Sequence, residues 1–409
     1  MADFGGADLD GFRTEVRAWL EANFPASLRR DPAAVSEAEA SGARPTGDVA
    51  LWKQRMGDKG WGTPTWPKAH GGGGLDRARA AVLADEMTAI GAPNPIGGMG
   101  VIMFGPTLLE YGNPEQLAQH IPPIVKGELR WCQGFSEPGA GSDLASLRTK
   151  AVDMGDHWLV DGSKIWTSGA HLADWCFCLV RTDTTKKHEG ISFLLIDMRS
   201  PGVEARPILL INGTTPFCET FFTDVKVPKG NLMGPLNGGW TIAKRLLQHE
   251  RQGISGAGQP TPGGQPGAVP GPELAQLART YVGVDDDGRL IDSDLRRRIT
   301  EHLMEARAFR LTGQRAAAET RSNSGPSAVS SVLKNVGSQV RQVGAELAVE
   351  VLGHQGLGWA GETFKADELG ATRAWLRGKS GTIAGGSQEV QNNIISKRIL
   401  GLPEVTQKG

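Results

Sequence analysis

The fold of this chain is decided by two segments, WCQGFSEPGAGSD at residues 131–143 and DGSKIWTSG at residues 161–169. The first is rich in small residues, carries two serine hydroxyls, and leaves several backbone N–H groups able to face an anion. The second places Asp161-Gly162 between two apolar, β-branched or aromatic runs, a pattern that predicts a β-hairpin. Together they predict a loop and a hairpin that present hydroxyls and Trp166 to a flat, polar-edged and phosphorylated ligand.

Length and composition limit the class of protein. A chain of 409 residues exceeds the usual size of one domain, so two or three packed domains are expected. With 39% hydrophobic residues and a net charge of −1, it lacks the bulk charge with which proteins grip nucleic acid or anionic membranes. The four cysteines fit no zinc-site spacing, so no metal site is expected. Reduced thiols, together with the lack of a secretory signal or a bilayer-spanning run, predict a cytoplasmic protein.

Hydrophobic periodicity divides the chain into three parts. Apolar residues at helical spacing predict an N-terminal helical domain over residues 1–127. Short β-rich runs between Gly, Asp and Pro predict a middle domain over residues 128–236, an antiparallel sheet that forms a small barrel or sandwich. Helical spacing then resumes and predicts a C-terminal helical domain over residues 237–409.

Two features of the C-terminal part are specific. A long helix is predicted to end at Gly353, and its apolar face consists of Val332, Val336, Val340, Val343, Leu347 and Val351. The segment Gly256–Gly271 contains four prolines and six glycines, cannot bury a core, and is expected to be a mobile loop.

FSEPGAGSD followed by GSKIWTS resembles the flavin-binding core of the acyl-CoA dehydrogenases, and the helical–β–helical order resembles their arrangement. The resemblance implies an α+β fold with an N-terminal helical domain, a middle antiparallel β-barrel domain and a C-terminal helical bundle. It also implies FAD as cofactor and α,β-dehydrogenation of an acyl-CoA thioester, with electrons passed to an electron-transfer flavoprotein. Because neighbouring subunits complete the FAD sites of this family, a homo- or hetero-oligomer is expected.

The catalytic base that the resemblance implies is displaced from its commonest position. In many relatives a carboxylate precedes a Gly-Thr pair near the C-terminus, whereas the equivalent stretch AGGSQEVQ, residues 384–391, places Gly385 there. LQHER, residues 247–251, resembles the Leu-x-x-Glu-Arg helix in which isovaleryl- and long-chain acyl-CoA dehydrogenases carry their base. Glu250 is therefore the expected general base, and an ordinary helix-surface salt bridge is the alternative. Arg251 either contacts CoA or pairs with a nearby acid.

The resemblance also implies the contacts of the cofactor and the substrate. The residues expected at the flavin are Gln133, Phe135, Ser136, Trp166, Thr167 and Ser168. Ser142 is expected at a phosphate or at the pantetheine chain of the substrate. Gly385 and Gly386 are expected to bring backbone N–H groups to the thioester oxygen, because only glycine allows so close an approach. Ser387 and Glu389 match positions that contact FAD.

Two departures from the family pattern concern the adenylate end of FAD. RTYVG at residues 279–283 matches only partly the Arg-x-x-Phe-Gly motif with which relatives hold a neighbour's FAD. A glutamine that helps hold that FAD is replaced by Glu350.

The segments GISFLLIDM, GGWTIAKRLLQHERQGI and EVQNNIISKRILGLP resemble heteromeric bacterial members of the family, such as the large subunit of pimeloyl-CoA dehydrogenase. That likeness implies bulky or dicarboxylic acyl groups. Two other functions fit the same fold: a flavin monooxygenase or nitroalkane-type oxidase, and a catalytically silent partner subunit, which Gly385 favours.

Overall fold

The computed structural model describes residues 9–31, 34–35, 38, 42–254, 271–322 and 329–403, without the side chains of 250–254, 271–273 and 317–322. These residues form two compact units. The first contains the described residues up to Ile208 together with Pro216–Glu250, and the second contains Leu209–Thr215 with the described residues from Arg251 onward.

The first unit begins with the predicted helices. They are α1 (Leu9–Asn23), α2 (Ala26–Arg30), α3 (Gly47–Asp58), α4 (Arg77–Ala89), α5 (Gly105–Tyr111) and α6 (Pro114–Val125). Asn113 starts α6 through a capping box, in which its side chain and that of Gln116 each bond the other's backbone N–H. Trp52, Leu20 and Leu83 are fully buried in the apolar cluster that joins α1, α3 and α4.

A curled seven-stranded sheet follows, as expected. Its strands are β1 (Trp131–Gly134), β2 (Lys150–Asp153), β3 (His157–Ser168), β4 (Trp175–Arg181), β5 (Ile191–Asp197), β6 (Val203–Ile208) and β7 (Phe217–Pro228). Their order is β1-β4-β2-β3-β7-β6, with β5 also paired to β4. The pairing is mostly antiparallel, but β1 and β2 each meet β4 in parallel, because the chain reaches β4 through long connections rather than a tight turn.

Both faces of the sheet are covered by apolar clusters. Along β4, Phe177 and Leu179 face one cluster, whereas Cys176 and Cys178 face the other. Helix α7 (Gly239–Ile254) adds Leu246 to the first of these clusters. The start of the predicted C-terminal domain therefore packs within the first unit.

The predicted hairpin at Asp161-Gly162 is wrong. Both residues lie inside β3, which runs without a turn from His157 to Ser168. The register against β7 shifts between Val160 and Gly162, so the Asp-Gly pair forms a bulge. Glycine is needed there because its φ is 144° and an added Cβ would lie 2.6 Å from Thr149 Oγ1.

The second unit is helical. Its helices are α8 (Gly271–Tyr281), α9 (Ser293–Ser322), α10 (Val329–Leu352), α11 (Ala366–Gly378) and α12 (Gln388–Ile394). Helix α10 ends before Gly353 as predicted. Residues 256–270 of the predicted mobile loop Gly256–Gly271 lie outside the described residues. No helix in the described part of the chain combines the length and apolar character needed to cross a membrane.

Candidate active site

Trp166 is the most unusual residue of the sheet. Its backbone has φ 60°, in the left-handed region, and 54% of the side chain is exposed. The pairing of β3 with β7 shifts between Lys164 and Thr167, so Trp166 lies in a second bulge. Such a conformation is costly for a bulky residue and persists only where the surroundings enforce it. The result is an aromatic ring held at the surface of a rigid strand.

The loop between β1 and β2 lies beside this bulge. The N–H of Ile165 donates to the carbonyl oxygen of Ser136 at 2.8 Å, which brings Ser136 next to Trp166. Ser136 and Ser168 are both partly exposed. The predicted neighbours Ser136, Trp166 and Ser168 are thus brought together along one edge.

The far end of the loop offers anion donors. Ser142 is exposed, and the backbone N–H groups of Gly141, Ser142 and Asp143 have no acceptor among the residues that the structure describes. Consecutive free N–H groups on a glycine-rich turn bind phosphate and similar anions. The predicted role of Ser142 at a phosphate is compatible with this geometry.

Two of the expected flavin contacts, Phe135 and Thr167, are buried, and a third, Gln133, is partly exposed. Phe135 is buried against Phe177 and Phe193, with ring centroids 6.0 and 6.1 Å away, so only its backbone can meet a ligand. Thr167 is fully buried, and its hydroxyl has no hydrogen-bond partner among the described residues. Gln133 is partly exposed on β1.

A buried ion pair underlies the loop, and the sequence did not indicate a role for it. The Lys164 ammonium donates to Glu137 Oε1 at 2.8 Å and to the Phe135 carbonyl oxygen at 3.2 Å. Lys164 is fully buried and Glu137 is nearly so. A lysine within an apolar β-run was the available signal, since lysine is almost never buried unless it is paired.

The expected base is carried by α7. The backbone of Glu250 lies in that helix, but the side chains of Glu250 and Arg251 lie outside the described residues. One turn earlier, Arg245 makes a bidentate pair with Glu110 of α5, with both N–O distances 2.7 Å. His249 Nε2 lies 3.3 Å from the same carboxylate, and burial together with the charge of Arg245 lowers the pKa of His249. These contacts join α7 to α5 within the first unit.

The second unit holds the remaining predicted residues. Gly385 and Gly386 have φ values of 69° and 91°, a region that favours glycine. Ser387 caps α12 by accepting from the N–H of Val390. Glu389 is exposed, and hydrogen bonds from its own backbone N–H and from Ser387 lower its pKa. The left-handed backbone explains why a side chain is disfavoured at position 385.

The structure also shows the contacts of the residues that depart from the family pattern at the predicted adenylate end of FAD. Glu350 on α10 makes a bidentate pair with Arg298 of α9, with both N–O distances 2.6 Å. In the partial motif, Arg279 is exposed, whereas Tyr281 donates its hydroxyl to Glu368 at 2.6 Å. Glu350 is therefore engaged within its own unit.

The residues of the first unit fit a flavin. An exposed aromatic face, flanking hydroxyls and a stretch of unpaired backbone N–H groups match the flat ring, polar edge and phosphates of FAD.

Comparison with known proteins identifies one family along the whole chain. Three family models match in order: acyl-CoA dehydrogenase N-terminal domain at residues 7–128, middle domain at 132–225 and C-terminal domain at 272–400. The chain is 37% identical to "Acyl-CoA dehydrogenase IpdE1" of Mycobacterium tuberculosis over 97% of this chain and 98% of that protein. It is 35% identical to the protein of the same name from Mycolicibacterium smegmatis, over 97% and 98%.

Solved structures agree. The ChsE4-ChsE5 complex from Mycobacterium tuberculosis matches with a TM-score of 0.74 and 31% identity, covering 98% of this chain and 99% of the matched chain. The "Tcur3481-Tcur3483 steroid ACAD" matches with a TM-score of 0.72 and 29% identity, covering 99% and 100%.

Proposed function

The chain belongs to the acyl-CoA dehydrogenase family of oxidoreductases, and on that premise we propose that it catalyses FAD-dependent α,β-dehydrogenation of an acyl-CoA thioester to the trans-2-enoyl-CoA. The observation that carries the proposal is the exposed ring of Trp166, held in a left-handed backbone beside Ser136 and Ser168. Members of this family are FAD-binding flavoproteins, which supports the same cofactor here.

Within this proposal the chain's own residues bind and orient the cofactor. Trp166 lies against the ring, and the hydroxyls of Ser136 and Ser168 donate to its polar edge. The loop around Ser142 is proposed to bind phosphate through its free N–H groups, and Ser387 and Glu389 are proposed to contact FAD because they match the family positions that do so. When bound, FAD supplies the acceptor for the hydride that leaves the β-carbon.

Glu250 is the proposed base and removes the α-proton with its carboxylate. That proton is weakly acidic, so the thioester oxygen must receive aimed hydrogen bonds as charge develops on it. The backbone N–H groups of Gly385 and Gly386 are the proposed donors, and Arg251 is proposed to bind CoA. The Arg245–Glu110 pair supports this role because it anchors α7 one turn before Glu250.

The substrate and partners are further parts of the proposal. A matching structure is named a steroid ACAD, which supports a bulky, polycyclic acyl group rather than a plain fatty chain. Electrons are proposed to pass to an electron-transfer flavoprotein. The matching ChsE4-ChsE5 complex supports assembly with like or unlike subunits.

A silent partner subunit is the second candidate. The observation that favours it is the left-handed backbone of Gly385, which disfavours the carboxylate that many relatives carry there.

A visible spectrum tests both candidates. We expect the purified protein to bind FAD and its absorbance to bleach anaerobically on addition of a polycyclic acyl-CoA. Fatty acyl-CoAs of similar mass serve as the control substrates. Bound FAD that no acyl-CoA of the panel bleaches would instead support the silent subunit, and rapid reoxidation by air would support the oxidase class.

The role of Glu250 has its own test. We expect Glu250→Gln to retain FAD and acyl-CoA binding but to lose turnover by ~10²–10⁴-fold, as is typical for the loss of a general base. The exposed Glu362→Gln is the matched control and should keep full activity. In the Glu250→Gln background, Gly385→Glu should restore only part of the activity, because φ at that position is 69°. Normal bleaching rates in Glu250→Gln would rule out this base.

A further inference from the structure

A buried ion pair joins the two segments that the proposed function assigns to the flavin. Lys164 stands two residues before Trp166 on β3, and Glu137 directly follows Ser136 on the loop. The ammonium of Lys164 is 2.8 Å from Glu137 Oε1 and 3.2 Å from the carbonyl oxygen of Phe135. The pair therefore connects the strand that carries the exposed ring to the loop that carries the first hydroxyl.

The carboxylate of Glu137 is a junction of three segments. Besides Lys164, it accepts the backbone N–H of Arg148 on Oε2 at 2.7 Å and that of Thr149 on Oε1 at 2.8 Å. Burial alone would raise the pKa of Glu137, but the charge and hydrogen bond of Lys164 hold it below the usual value. The side chain is thus an ionised acceptor that ties the loop, the approach to β2, and β3 together.

The same contacts enclose the strained backbone. Lys164 is the last residue in register with β7 before the bulge, and Ile165 donates its N–H to Ser136. Trp166 then takes φ 60°. A left-handed tryptophan needs neighbours that determine its position, and the ion pair lies at the start of that bulge.

Stability is a poor explanation for such a pair. Removing two charges from water costs about as much free energy as their attraction returns, and apolar residues of equal volume often serve as well or better. Apolar packing does not fix the orientation of the connected segments. A hydrogen-bonded ion pair is directional and allows one arrangement of those segments.

We propose that Lys164 and Glu137 are positioning residues that set the separation of Ser136 and Trp166, and thereby the affinity and environment of the bound flavin. This inference rests on the proposed function, in which FAD binds beside Trp166 and Ser136.

The test is a double-mutant cycle of K164M, E137Q and K164M/E137Q. Apoprotein of each variant is titrated with FAD, the visible circular dichroism of the bound flavin is recorded, and Tm is measured without FAD. We expect each single variant to weaken FAD binding by about tenfold and to change the dichroism band. The FAD affinity of the double variant should be no lower than that of the single variant with the lower affinity, because the two residues act as one unit.

An exposed ion pair of the same sheet is the matched control. Arg206 and Glu204 are 2.7 Å apart on β6, and both are exposed to solvent. R206Q should change neither the FAD affinity nor the dichroism. If K164M does not fold, K164Q retains a donor on a shorter side chain and replaces it in the cycle.

Two results would overturn the inference. In the first, the variants lower Tm while FAD affinity and dichroism match those of the wild type, which would make the pair purely structural. In the second, the losses of the single variants add in the double variant. Wild-type protein that takes up no FAD would overturn the proposed function, and the inference with it.

Discussion

Among single residues, Trp166 is expected to contribute more to FAD binding than to the stability of the fold. Its ring is half exposed, and the ring contact that the structure describes is an edge contact with Phe217 at 6.1 Å. We expect Trp166→Ala to change the unfolding free energy of the FAD-free protein by less than about 1 kcal/mol. FAD affinity should fall by about tenfold, because aromatic stacking is lost.

The control for this prediction is on the same strand. Trp158 is buried, and Trp158→Ala should cost about 3–5 kcal/mol in chemical denaturation. Unchanged FAD affinity in Trp166→Ala would show that the ring has another role.

Glu86 gives a prediction about acid stability. It is buried on α4, with Oε1 2.7 Å from Arg13 and Oε2 2.8 Å from Arg17. Hydrogen bonds from Arg17 and then Arg13 lower its pKa to about 2. Because the folded-state pKa is depressed, this contribution is complete above the ordinary carboxyl pKa and is lost as pH falls towards 2.

We therefore expect Glu86→Gln to lower Tm at pH 7 by on the order of 3 °C. The difference in Tm between Glu86→Gln and the wild type should become smaller as the pH is lowered from about 4.5 towards 2, since the wild-type carboxylate then becomes neutral as well. Thermal unfolding across this range measures the difference, with the exposed Glu21→Gln as control. A difference that is constant with pH would contradict the assigned charge.

Among the secondary-structure elements, β3 requires glycine at position 162 to form its bulge. Gly162→Ala would place a Cβ 2.6 Å from Thr149 Oγ1 at φ 144°. We expect a loss of about 1–3 kcal/mol in urea unfolding, together with weaker FAD binding, because the strand also carries Trp166. Gly139→Ala is the matched control, since an added Cβ there meets nothing within 4 Å. Equal stability of the two variants would contradict the close packing of β3.

The buried face of helix α10 includes only part of the apolar face that the sequence predicts. Its C-terminal end agrees with the prediction, but Val343 of the predicted face is exposed, whereas Gly337 and Gly344 are buried. An added Cβ would lie 2.7 Å from Phe309 at Gly337 and 2.9 Å from His302 at Gly344. The small residues allow α9 to approach closely at these two positions, while Leu347 and Val351 of the predicted face are buried as expected.

At the scale of the whole molecule, exposed apolar side chains of the second unit indicate association. Met304 and Leu311 lie seven residues apart on one face of α9, and Met304 is 67% exposed. We expect sedimentation to show a mass above the 43.5 kDa of one chain. Met304→Glu should weaken that association because it places a charge on the face. The exposed Glu305→Gln is the control, and a monomeric wild type would refute the prediction.

The sequence alone determined the family and the helical–β–helical order, and it predicted most of the residues of the proposed flavin site. These follow from local information: periodicity reports which segments are helix or strand, and residues 131–143 and 161–169 are each continuous in the chain. The family resemblance and the overall fold were confirmed by the comparisons.

Only the tertiary structure decided which residues meet. Asp161-Gly162 is typical of a turn, yet pairing with β7 and contact with Thr149 make it a bulge. The Lys164–Glu137 pair joins residues 27 positions apart, and the buried face of α10 depends on α9. Periodicity records how apolar each residue is, but a buried charge or a close glycine contact depends on the neighbour that folding brings to it.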